Sequence, residues 1–154
     1  MPELILEFQL REEVGTIDQV GDGPFGQRMI AALSGGSFTG ERLTGSVVGA
    51  NGDWLLAGRD GYGRTDVRLT LKTVDSAVIY LQYCGLVEMT ATVTAIVGGG
   101  AAATDYGDQY LFSSPRLETG DERYAWVNQT IFVGEGRLLP GPVVEYRVYR
   151  VAHC

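Results

Sequence analysis

R-L-E-T-G-D-E-R-Y-A-W-V-N-Q-T-I-F-V-G, residues 116–134, is the stretch whose reading decides the fold. A turn signal, Thr119-Gly120-Asp121, precedes a run rich in aromatic and β-branched residues, the pattern of a well-buried strand. Successive strand residues face opposite sides. Tyr124, Trp126, Asn128, Thr130 and Phe132 therefore share one face, and Ala125, Val127, Gln129, Ile131 and Val133 the other. The first face mixes flat rings with an amide and a hydroxyl, which resembles the lining of a ligand pocket. The expectation is an all-β domain with a polar-aromatic interior.

Working outward, residues 3–10 alternate, with Leu4, Leu6, Phe8 and Leu10 on one face of a first strand. Residues 21–26 hold three glycines and Pro24, which makes them a rim loop. Residues 27–34 and 37–48 read as two strands joined at Gly35-Gly36, and Gly40 and Gly45 suggest bulges that bend a sheet until it closes. Asn51-Gly52 is a hairpin signal before Trp54, and residues 59–63 form a further turn. A closed antiparallel barrel of about eight to ten strands fits better than a sandwich.

Residues 64–73 leave two orientations open. Either Val67, Leu69 and Leu71 face the core, or Asp66 points into a polar interior and the apolar row packs on another subunit. The strand over residues 77–84 is apolar on both faces, with Tyr80 and Gln82 opposite Ile79, Leu81 and Tyr83. Residues 87–97 are ambiguous: Met89, Val93, Ile96 and Val97 recur at helical spacing, whereas the Thr and Val content and the Ala91, Val93, Ala95, Val97 alternation favour strand. Residues 98–107 suit a mobile rim loop, and the last strand, residues 143–152, follows the Pro140-Gly141-Pro142 turn.

A chain of 154 residues with 45% hydrophobic residues fits one domain spanning residues 1–154 that buries most of its surface without staples. The net charge of −7 argues against nucleic acid and against anionic membrane surfaces. No basic segment followed by an apolar stretch opens the chain, and no run of about 18 apolar residues occurs, so a soluble cytoplasmic protein is expected. Cys84 and Cys154 are expected to be free thiols in a reducing compartment. The one histidine, His153, is penultimate, which removes the usual triads and multi-histidine metal sites. Phosphate-loop, dinucleotide and paired-cysteine motifs are absent, so neither a metal nor a cofactor is expected.

What remains is acid–base chemistry in an apolar setting, where a desolvated carboxyl can work near neutral pH. Asp60, Asp66 and Glu118 are the candidate carboxylates.

Ordered motifs along the chain resemble the DUF3237 (UPF0311) family. They are G-x-R at 26–28, G-G-S-F-x-G at 35–40, L-x-G at 43–45, D-W at 53–54, D-G at 60–61, D-V-R-L-T-L-x-T at 66–73, I-Y at 79–80, Y-L-F at 110–112, E-T-G at 118–120 and Y-A-W-V-N-x-T-I-F-V-G at 124–134. The resemblance implies a small closed barrel, similar in shape to those of allene oxide cyclases and dirigent proteins, that self-associates. It also implies a short helix over residues 88–97, against local propensity. Two departures stand out: Gly58-Arg59 follows the D-W motif where the family carries an arginine sooner, and Leu111-Phe112-Ser113-Ser114 replaces Y-F-R-T. Both favour an apolar or aromatic substrate.

The resulting expectation is an enzyme without cofactor, an isomerase, cyclase or lyase, acting on a small aromatic or polyketide-like metabolite. Asp66, Tyr80 and Asn128 are its expected catalytic residues; Trp54, Asp60, Tyr110, Phe112, Glu118, Tyr124 and Trp126 are its expected substrate wall. The alternative is a non-catalytic binding or carrier barrel. If Asp66 points inward, the exposed Val67, Leu69 and Leu71 row requires a partner, so a homo-oligomer, a dimer first, is expected.

Overall fold

A computed structural model describes residues 1–154. The strands are β1 (Pro2–Gly23), β2 (Gly26–Gly40), β3 (Thr44–Ala57), β4 (Tyr62–Thr73), β5 (Val78–Glu88), β6 (Leu111–Ser113), β7 (Arg116–Glu118), β8 (Phe132–Leu139) and β9 (Val143–His153). One α-helix, α1 (Ala91–Val97), follows β5, and a 3-10 helical segment kinked at Tyr124 spans Glu122–Gln129. The helix implied near residues 88–97 is present, started by the Thr90 hydroxyl accepting from the Val93 N–H.

All pairings are antiparallel, and eight strands close into a ring in the order β1-β2-β3-β4-β5-β6-β8-β9, returning to β1. The seam is thin. The β6 to β8 ladder has two residue pairs, Phe112 with Glu135 and Ser113 with Gly134, and β7 pairs further along β5. This ring is the barrel-like, all-β architecture expected from the sequence.

On β4, Val67, Leu69 and Leu71 are fully buried while Arg64, Arg68 and Lys72 are exposed. The apolar row is therefore core, and the dimer argument that needed it outside falls away. β5 is one-sided too, because Ile79, Leu81 and Tyr83 point inward while Val78 and Tyr80 face solvent. At one end Phe8 meets Phe38 and Phe132 edge-to-face, at centroid distances of 6.4 and 6.2 Å. The 3-10 helix covers that end, where the Tyr124 hydroxyl donates to Asp75 in the turn before β5. α1 lies beyond the other end of β5 and buries Val93 and Ile96.

Several local expectations need correction. Gly21–Gly23 continue β1 and Gly26 opens β2, so only a tight turn at residues 24–25 remains of the expected rim loop, and Gly40 and Gly45 pair in register without bulges. Residues 124–131 are not a strand, which begins only at Phe132: the Asp121 carboxylate accepts from the Arg123 N–H, and Thr130 donates to the Trp126 carbonyl, so local capping overrides strand propensity. Gly35-Gly36 is a bulge inside the continuous β2, not a turn. Asn51-Gly52 is likewise a bulge inside β3, not a hairpin, with the Asn51 amide donating to the Val48 and Gly49 carbonyls and accepting from the Thr70 N–H. No helix is long and apolar enough to cross a membrane.

Candidate functional site

The inward parity of β1 runs Phe8, Leu10, Glu12, so the strand that supplies the core also carries an acid into it. Glu12 is 1% exposed. Its neighbour across the ladder is Gly36, at a positive φ of 145°, where a side chain would collide with the Arg11 backbone. The Gly35-Gly36 bulge thus lets β2 close over β1 at the height of Glu12.

Tyr83 reaches Glu12 from β5, its hydroxyl donating to Oε2 at 2.8 Å. The Tyr146 ring packs against Tyr83 edge-to-face at 5.3 Å. It has room because its partner on β8 is Gly136, where an added Cβ would sit 2.8 Å from the ring. From β3, Asp53 points inward and its Oδ1 accepts from the Asp66 N–H at 3.1 Å.

Glu12, Asp53, Thr65, Tyr83 and Tyr146 share an internal cavity of about 70 Å³ whose remaining walls are almost wholly apolar. Its half-buried lining includes Val14, Ile17, Met89, Val97, Pro142 and Val144, toward the end where α1 lies. Glu12 Oε1 and Thr65 Oγ1 are buried and have no hydrogen-bond partner. Native interiors rarely leave such groups unmatched unless a ligand or water completes them.

Electrostatics single out the same residues. Burial pushes the Glu12 carboxyl up to about 8, opposed by the Tyr83 hydrogen bond and reinforced by Asp53. Burial also lifts Asp53 to about 6; the Asp66 N–H bond opposes this, the Asp66 charge adds to it, and Arg28 offsets part of it. Tyr83 is raised well above the ordinary phenol value by burial and by the neighbouring Glu12, so it remains a hydrogen-bond donor. Near neutral pH the cavity therefore holds one proton-loaded carboxyl and one largely ionised carboxyl.

The expected site residues lie elsewhere. Asp66 is on the outer face of β4, its side chain 42% exposed and 3.9 Å from Arg68, because Val67, Leu69 and Leu71 claim the inner parity. Tyr80, Glu118 and Asn128 do come together, but along an outer groove. There the Asn128 amide is occupied, accepting from the Thr119 N–H and donating to the Thr119 carbonyl. Trp54 lies outside under Arg68, and Trp126 lies under Arg42, whose guanidinium is 3.8 Å from the ring. Asp60 is exposed and paired with Arg64, while Tyr110 and Phe112 meet edge-to-face, centroids 4.9 Å apart, on the outer face of the seam. Tyr124 is buried at the opposite end from α1, its hydroxyl donating to Asp75. None of the ten lines the cavity.

A second outer groove, larger than the cavity, offers less chemistry because its buried acid is already neutralised. Glu7 pairs with Arg42 at 2.7 Å and with Arg150 at 3.1 Å. No group of three or more metal-ligating side chains is gathered anywhere in the chain.

The DUF3237 family, described as a protein family of unknown function, matches residues 2–151. A UPF0311 protein of Rhodopseudomonas palustris is 26% identical over 127 residues, 82% of each chain. A β-barrel-like protein of Acinetobacter baumannii superposes with a TM-score of 0.82 at 27% identity, covering 99% of this chain and 97% of that one. The PR-toxin biosynthesis cluster protein 7 of Penicillium roqueforti is 23% identical over 157 residues, 90% of this chain and 84% of that protein.

Proposed function

The chain belongs to the DUF3237 family, and from that premise and its buried carboxyl pair we propose that it is an acid–base enzyme working with its own side chains inside the barrel. The reaction class is isomerisation, cyclisation or elimination, and the substrate a small aromatic or polyketide-like metabolite. The observation that carries this reading is Glu12: a carboxyl buried in the core, held by Tyr83 on one oxygen and unpartnered on the other. A site that only stored an apolar ligand would gain nothing from burying an acid, which costs stability. A relative named for a toxin biosynthesis cluster supports a role in secondary metabolism. Two exposed free thiols, Cys84 and Cys154, support the expected reducing compartment.

In mechanism, the neutral Glu12 carboxyl gives a proton to, or shares it with, a substrate oxygen, and Tyr83 then stabilises the carboxylate left behind. Apolar walls exclude water and strengthen both interactions. The test is a panel of phenolic and polyketide-type ketones incubated with the protein and with Glu12→Gln, followed by chromatography. Conversion by the wild type that Glu12→Gln loses by about 100-fold or more, with the fold intact, is expected. Tight retention without conversion, unchanged in Glu12→Gln, would instead establish a carrier.

A further inference from the structure

We propose that the cavity takes an uncharged molecule by its carbonyl group, with the Glu12 carboxyl donating to the carbonyl oxygen and Asp53 removing a proton from the adjacent carbon. The inference rests on the acid–base reading above and adds to it the substrate class and a division of labour between the two acids.

The first ground is the charge of the walls. None of the 17 residues around the cavity is Lys, Arg or His, while two are carboxyls. A carboxylate or phosphate placed there would be buried beside Asp53 with no cation in the lining to pair with it, at a large desolvation cost. The reacting end of the ligand is therefore uncharged.

The second ground is the hydrogen-bond inventory. Glu12 Oε2 is taken by Tyr83 from β5, and Tyr146 of β9 packs on that phenol. Oε1 has no partner, and neither has the Thr65 hydroxyl of β4. A protonated Oε1 and a free hydroxyl both need an acceptor, and a carbonyl oxygen with two lone pairs can serve both. Asp53 of β3 supplies the opposite function: one oxygen is held by the Asp66 N–H, and Arg28 lies close enough outside to favour its charge. Two carboxyls in one cavity with environments that separate them are the arrangement that assigns acid and base.

The step balances as a proton redistribution. The carbon–hydrogen bond beside the carbonyl breaks, its proton goes to Asp53, and its electron pair forms the carbon–carbon double bond. The carbonyl oxygen takes the Glu12 proton and becomes an enol hydroxyl. Glu12, now a carboxylate, keeps the Tyr83 hydrogen bond. Return of the Asp53 proton to another carbon of a conjugated enol, with the enol hydroxyl giving its proton back to Glu12, yields an isomer. Attack of the enol carbon on a second carbonyl of the same molecule, whose C=O π pair takes the Asp53 proton as the enol hydroxyl returns its own to Glu12, yields a ring. A cavity of about 70 Å³ seats the reacting group alone, so the apolar body lies along the half-buried Val14, Ile17, Met89 and Val97 side.

The probes are 2-tetralone, a neutral ketone, and 2-naphthoate, a carboxylate of similar shape. Binding is read by thermal shift and calorimetry at pH 7, and exchange of the ketone's α-hydrogens is followed by NMR in deuterated buffer. The wild type should bind 2-tetralone at least about tenfold more tightly than 2-naphthoate and speed exchange beyond buffer. Asp53→Asn keeps the acceptor for the Asp66 N–H, so it should stay folded and bind 2-tetralone, yet lose about 100-fold of the exchange rate. Equal or tighter 2-naphthoate binding, or no 2-tetralone binding at millimolar concentration, overturns the substrate class. Binding without accelerated exchange, or full exchange by Asp53→Asn, overturns the division of labour and leaves the Glu12 role to its own test.

Discussion

Gly36 sits directly across the β1–β2 ladder from Glu12, at a backbone conformation that an L side chain rarely adopts, and a Cβ there would overlap the Arg11 carbonyl. The position that bends β2 is thus also the position that lets the acid-bearing segment of β1 approach. Gly36→Ala must either strain the backbone or push the strands apart at Glu12. The expected result is a loss of about 2 kcal/mol or more in urea unfolding, together with loss of any Glu12-dependent activity.

The contrast between Gly36 and Glu12 shows what the chain discloses by itself. Strand alternation and the Pro140-Gly141-Pro142 turn are local signals, so the antiparallel sheet is readable from them, whereas the bulges are not: Gly40 and Gly45 pair in register, and the bulges lie at Gly35-Gly36 and Asn51-Gly52, where a turn and a hairpin are the local reading. Glu12 becomes visible only when the Phe8, Leu10 parity is carried past residue 10; a first strand ended there leaves the acid outside any pattern. Asp53 stands beside the more conspicuous Trp54 and takes the inward parity that the tryptophan does not. Tyr83 and Tyr146 read as core aromatics, and their meeting with Glu12 joins β1, β5 and β9, which no local pattern specifies. The aromatic run at residues 124–132 misleads in the other direction. Its tie to Asp75 is long-range, and that tie together with the local Asp121 cap outweighs the strand propensity of the run.

Asp66 provides the sharpest contrast with Glu12. Its carboxylate is on the outer face, within 3.9 Å of Arg68, a pairing that contributes little in water. Asp66→Asn should therefore change stability by no more than about 0.5 kcal/mol and leave activity within about twofold of wild type. Urea unfolding and turnover of the two proteins side by side check this; a 100-fold loss of turnover would return Asp66 to the site.

Tyr83→Phe removes the single donor to Glu12 while keeping the ring against Tyr146. That hydrogen bond lowers the Glu12 pKa, so its loss should move the carboxyl further upward. Stability should drop by about 1 kcal/mol at pH 6, where Glu12 is neutral, and by about 2–3 kcal/mol at pH 9, where a buried carboxylate loses its partner. Equal losses at the two pH values would mean that the tyrosine matters only for packing.

The pH dependence of folding follows from Glu12 and Asp53 together. Their folded values, about 8 and about 6, lie above the ordinary 4.5 and 3.8 that apply once the chain unfolds. Between those limits the native state binds more protons than the unfolded state, so stability falls as pH rises. Glu12 contributes this fall from about pH 4.5 to about pH 8, at no more than about 1.4 kcal/mol per unit, and Asp53 contributes it from about pH 4 to about pH 6. Below that range the sign reverses. Asp60, held at about 2 by Arg64, and Asp75, Asp105 and Asp121, also lowered by hydrogen bonds and nearby arginines, lose favourable pairing as they protonate. The stability maximum should therefore fall near pH 4–5 rather than at neutrality. Glu12→Gln cannot titrate, so in urea unfolding from pH 5 to 9 it should lose most of the downward slope above pH 6 and become relatively more stable at pH 9. A wild-type profile that is flat from pH 6 to 8 would show that Glu12 does not carry its proton through neutrality, and would remove the basis for its role as an acid.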